Sequence, residues 1–143
     1  MIQRIQSIYL LIAFVCSGVM IFFFDLWDTS SGGVRAMDLI SQSDIFIKFV
    51  PILFFISALL PLFTIFKFSN RKLQMNLGKL TILINLILLG LFVYLIQTLS
   101  GEAAVSKKDI GMFLPLISIG FVLLANRAIK KDEDLVKSVD RLR

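Results

Sequence analysis

From Leu80 to Gly101 the chain reads LTILINLILLGLFVYLIQTLSG, 22 residues without a single charge. At about 1.5 Å of rise per residue, such a run makes a helix of roughly 33 Å, enough to cross a hydrocarbon core of about 30 Å. Three further charge-free runs accompany it, Ile5 to Phe24, Phe49 to Phe66 and Ile110 to Asn126. The last is the shortest and is interrupted by Gly111, Pro115, Ser118 and Gly120, but its Leu, Ile, Val and Phe content is still enough for insertion. The expected fold is therefore an all-α integral membrane protein: four transmembrane helices at about 5–24, 49–66, 80–101 and 110–126, arranged as two hairpins. They form a single domain over 1–143, in which 127–143 is a cytoplasmic tail with a short amphipathic C-terminal helix.

Composition agrees with the runs. Hydrophobic residues make up 57% of the chain and mean hydropathy is +0.88, above the apolar share of soluble domains. Fourteen Phe against one Trp and two Tyr suits lipid contact, because Phe carries no polar group that needs a partner in hydrocarbon. Histidine is absent and the one cysteine, Cys16, falls inside the first run. Within one chain this excludes disulfides, zinc sites and Cys/His nucleophile pairs. The first run is longer than a signal-peptide core and lacks a small-x-small cleavage site before Asp25, so it is expected to be a retained helix.

Lys and Arg divide unevenly between the connections. Arg4, the segment from Lys67 to Lys79 and the residues after Asn126 together hold eleven of the fifteen, whereas Arg35, Lys48, Lys107 and Lys108 lie on the other side. Short loops rich in Lys and Arg stay cytoplasmic, which predicts both termini inside and the loops after the first and third helices outside. Trp27 then sits at the outer interface.

The outer ends of the second and fourth helices resemble each other. Ser41-Gln42-Ser43-Asp44 leads to Pro51, and Ser106-Lys107-Lys108-Asp109 leads to Pro115. Each is a capping-box pattern, with Ser accepting from a free helix N–H and Asp complementing the helix dipole. A duplicated hairpin would produce this likeness, and so would the shared need of two helices entering from one face. Pro61, deep in the second helix, removes the bond to the Ser57 carbonyl and predicts a kink or local unwinding. Between the first two helices, Thr29-Ser30-Ser31-Gly32-Gly33 is a turn signal that suggests a strand hairpin or small outer cap. The carboxylates Asp25, Asp28, Asp38 and Asp44 in that loop lack metal-loop spacing and read as a solvated face, with no metal or cofactor implied.

Polar residues inside the runs are few: Ser17, Ser57, Thr64, Thr81, Asn85, Tyr94, Gln97, Ser118 and Asn126. Asn85 is the strongest candidate for an interhelical hydrogen bond, and Ala13-x-x-x-Ser17 is a small pair that admits a close helix neighbour. Ala13, Ser17, Pro61 and Asn85 are thus the expected helix-packing residues. No Asp, Glu, Lys or Arg interrupts a run, so the usual pointer to ion or proton coupling is missing.

In the tail, Glu133 and Lys137 form an i,i+4 pair, and Leu135, Val139 and Leu142 make an apolar stripe. The stripe must cover the membrane surface, the chain's own second loop or a partner. The tail is expected to fold back beneath the bundle, with Arg4 near Asp132, Glu133 or Asp140. Arg4, Gln6, Leu135, Val139, Asp140 and Leu142 are the expected partner contacts.

The opening Met1-Ile2-Gln3-Arg4-Ile5-Gln6 and the closing Asp132-Glu133-x-Leu135-Val136-x-Ser138-x-Asp140-Arg141-Leu142-Arg143 resemble a family of small four-helix inner-membrane proteins of Bacteroidota that carries an unknown-function label. That resemblance implies a bacterial inner membrane and adds no activity. With packing devices plentiful and no nucleophile and base pairing evident, the expected role is a non-enzymatic accessory or assembly subunit of a larger membrane complex. The alternative is a small oligomeric transporter or channel-like component. Expected partners are the lipid bilayer, other membrane subunits and anionic lipid at the basic cytoplasmic face, with no nucleic acid.

Overall fold

The computed structural model describes residues 5–29, 32–41, 45–67, 69–99, 107–108 and 110–140. Helix α1 (Ile5–Phe14) continues into a π turn at Val15–Val19 and a 3-10 turn at Met20–Phe22. Helices α2 (Ile45–Phe66), α3 (Arg71–Leu99) and α4 (Leu114–Asp140) follow, α4 being led in by a 3-10 turn at Ile110–Phe113. Four stretches, Ile5–Phe22, Ile47–Phe66, Arg71–Leu95 and Ile110–Ser138, are long and apolar enough to cross a membrane. The helices form a ring in which α1 touches α2 and α4, and α3 touches the same two.

The charge-free runs delimit apolar stretches, and α2, α3 and α4 each extend past theirs at one end. Helix α3 begins at Arg71, not near residue 80, because Asn70 caps it: Asn70 Oδ1 accepts from Leu73 N–H at 3.1 Å, and Gln74 N–H donates to Asn70 O at 3.0 Å. Helix α4 passes Asn126 and reaches Asp140 without a break. No glycine or proline follows Phe121 to stop it, and the predicted Glu133–Lys137 pair closes at 2.7 Å. The expected fold-back of the tail is therefore absent over the described residues, and Leu135 is 57% exposed.

At Pro61 the expected local unwinding does not occur. Helix α2 runs continuously through Pro51 and Pro61, since a proline costs one helix bond and the neighbouring helices hold the rest in place. The irregular segment is instead the π turn in the first span, where Met20 N–H bonds to Val15 O. The capping boxes at Asp44 and Asp109 lie outside the described residues.

The fold is not purely helical. Strand β1 (Trp27–Thr29) pairs antiparallel with β2 (Gly32–Val34), Trp27 opposite Val34, as the turn signal predicts. Strand β3 (Lys107–Lys108) then pairs antiparallel with β1 from its other edge, Trp27 opposite Lys108. The two connections are further joined by Gly111 N–H donating to Asp25 O at 3.1 Å. Arg35 clamps the hairpin base, its Nε 3.0 Å from Asp25 Oδ1 and its backbone N–H donating to Asp38 at 3.1 Å. This three-stranded cap covers one end of the bundle, with Leu26, Ala36 and Leu39 buried beneath it.

Candidate functional site

The bundle interior changes character along its length. Toward the cap it is apolar: Ile47, Val50 and Phe54 of α2 meet Leu88, Phe92 and Leu95 of α3 in one buried cluster, and the Phe54 and Phe92 rings lie 6.0 Å apart. Away from the cap, buried polar side chains join Leu10, Ala13, Val122, Ala125 and Ile129 in the interior. Ser17, Ser57, Thr64, Thr81, Asn85 and Ser118 are all fully buried, and Gln6 and Gln74 nearly so.

At mid-height four of these meet, one from each helix. Asn85 Nδ2 donates to Ser57 Oγ at 2.7 Å, Ser57 Oγ donates to Ser17 Oγ at 3.2 Å, and Ser17 Oγ donates to Ser118 Oγ at 3.0 Å. The chain of hydrogen bonds therefore runs α3 to α2 to α1 to α4 and closes the bundle around a single polar thread. In an apolar surround each interhelical bond is worth about 0.6–2 kcal/mol. Local structure brings each member in. Ser17 sits at the middle of the π turn, which widens the first helix by one residue at this level. Ser57 lies one turn before Pro61, whose missing N–H frees the Ser57 carbonyl. Gly18 and Ala58 follow their serines and let the two helices close up: a methyl on Gly18 would stand 2.9 Å from Ala58 Cβ.

Helix α3 carries the polar half. Gln74, Gly78, Thr81 and Asn85 recur at i, i+4, i+7 and i+11, placing them on one inward stripe. Gln74 Nε2 donates to Thr64 O at 2.9 Å and Asn85 Nδ2 also donates to Thr81 O at 2.9 Å. Gly78 has no side chain because the Asn126 amide of α4 occupies that space. These donor bonds fix how the Gln74 and Asn85 amides are oriented, and they leave an acceptor over. Gln6 Oε1, Gln74 Oε1, Asn85 Oδ1 and Asn126 Oδ1 are buried with no hydrogen-bond partner. All four are acceptors, a uniform chemistry that suits a guest able to donate hydrogen bonds.

Of the expected packing residues, Ala13, Ser17, Pro61 and Asn85 are all buried. Asn85 and Ser17 share the thread, while Ala13 lies one turn from it. Gln6, expected at a partner surface, is 4% exposed and faces the interior. Leu135 is on the surface, and the Val139 and Asp140 side chains, Arg4 and Leu142 lie outside the described residues. Sequence reasoning missed Gly18, Gln74 and Gly78. Their signal was a small or amide residue at helical spacing from a polar neighbour. Among the described residues, no group of three or more His, Cys, Asp or Glu gathers as metal ligands would.

No curated protein and no solved structure matches this chain. A family model does, over residues 2–142, so the chain belongs to the family described as domain of unknown function DUF4293.

Proposed function

We propose that the protein is a non-enzymatic accessory or assembly subunit of a larger complex in the bacterial inner membrane, inserted with both termini in the cytoplasm. The observation that carries this reading is the far end of α4. Leu135 is 57% and Val136 48% exposed on a helix whose other residues there are mostly charged. Leu135 also lines a surface hollow of about 420 Å³ with Lys131, Asp134 and Ser138. An apolar pair on the charged end of a helix, past the charge-free run that stops at Asn126, is a surface that a partner helix or loop would cover. Affinity purification in mild detergent tests it. Hetero-partners should accompany the native chain and be lost from Leu135→Asp while that variant stays folded.

A second reading, a small oligomeric transporter or channel-like component, is favoured by one observation, the four unpaired amide oxygens in the polar half of the bundle. Such acceptors would suit passing water or a small donor cation. Purification of a homo-oligomer without hetero-partners would favour this reading and overturn the first.

A further inference from the structure

Helices α3 and α4 cross tightly where Asn126 packs on Gly78, which brings the following residues, Lys79 and Arg127, to the same height. Around this point the two helices enclose a groove of about 520 Å³. Its wall is graded. Ile82 and Leu123 line the part nearer mid-bundle, Lys79, Arg127 and Lys130 the middle, and Glu133, Asp134 and Lys137 the far end. Glu133 is engaged by Lys137 at 2.7 Å. Among the described residues the ion pairs are that one and Arg35–Asp25, so Lys79, Arg127 and Lys130 have no carboxylate partner there. Leu123 and Arg127 also border a second, adjoining hollow of about 480 Å³, otherwise lined by Ile117, Gly120, Phe121 and Leu124. At its floor a methyl group on Gly120 would meet nothing within 4 Å.

Cations at one end and an apolar slot rising from them match one molecule with a charged head and a hydrocarbon tail. We propose that this double groove holds an anionic phospholipid of the cytoplasmic leaflet, its phosphate among Lys79, Arg127 and Lys130 and an acyl chain in the slot over Gly120. An acidic peptide would satisfy the cations and leave the slot empty. The site rests on the membrane placement proposed above and is independent of the accessory role.

Native mass spectrometry of the full-length protein in mild detergent tests it, with phosphatidylglycerol and phosphatidylethanolamine of identical chains as probes. The native protein retains phosphatidylglycerol preferentially. Lys79→Gln with Arg127→Gln weakens that retention by roughly tenfold to thirtyfold, whereas Lys67→Gln with Lys72→Gln, which removes the same charge outside the groove, leaves it within about threefold. Gly120→Phe, which fills the slot and keeps every charge, weakens it as well. If the first pair does not give a monodisperse protein, Lys130→Gln against Lys131→Gln makes the same comparison. Equal losses from groove and control variants, equal retention of both lipids by the native protein, or full retention by Gly120→Phe would each overturn the site.

Discussion

Asn85 Nδ2 stands 2.7 Å from Ser57 Oγ, and through that contact one amide on α3 organises hydroxyls from the other three helices. Asn85 also spends its second donor on Thr81 O, so replacing it removes two bonds at once. Asn85→Leu should lower stability by about 1–3 kcal/mol, the lost interhelical bond plus the strain of a branched side chain in a polar slot. Unfolding followed in mild detergent measures it, and an unchanged midpoint would show that the thread contributes nothing to packing.

Gly18 predicts a coupled pair. Gly18→Val should destabilise by roughly 1–3 kcal/mol, because the added methyls meet Ala58 and the Phe14 ring. Ala58→Gly in the same chain should restore part of the loss. A double-mutant cycle without coupling would show that the two helices are not held together here.

The cap separates charge from backbone fit. Arg35→Ala should cost about 0–1 kcal/mol, since the Arg35 side chain is 56% exposed. Gly111→Ala should cost more, about 1–3 kcal/mol, because its methyl would press on the Asp25 backbone. The thermal midpoints of the two variants in detergent give the order, and the reverse order would mean that the ion pair holds the cap.

Topology is open to thiol labelling, helped by the burial of the native Cys16. Ser41→Cys on the cap side should react with an impermeant maleimide in intact spheroplasts. Ser69→Cys, in the α2–α3 turn, should react only after permeabilisation. Both residues are exposed, so the opposite pattern would invert the orientation and place the α4 tail outside.

What the sequence made legible follows from which signals are local. Four apolar runs and the lone Asn85 within one of them are visible because charge exclusion needs no knowledge of packing. The hairpin after α1 was also visible, since Gly32 and Gly33 mark its turn. Strand β3 was not: Lys107-Lys108 has no strand pattern, and its partner Trp27 is far away in the chain. The meeting of Ser17, Ser57 and Ser118 was equally hidden. Each serine alone is an ordinary packing residue, and their convergence depends on helix order and on the π turn at Val15–Val19, which shifts the first helix by a residue without any sequence mark. The extent of α3 was misjudged because Lys and Arg end an apolar run without ending a helix; the Asn70 cap does that.

The strand pairing between Trp27 and Lys108 has a mechanical consequence. By stitching the connection after α1 to the connection after α3, it ties the helices together at one rim, while at the opposite end the turn at Lys67–Asn70 joins α2 to α3 and Arg71 Nη1 donates to Asp132 O of α4 at 2.7 Å. A bundle laced at one rim behaves as a tuning fork: relative movement of the helices must grow with distance from the lacing. Separation of the helices is therefore expected at the end where Gln6 and Gln74 are buried, and it would have to break the bond from Arg71 Nη1 to Asp132 O.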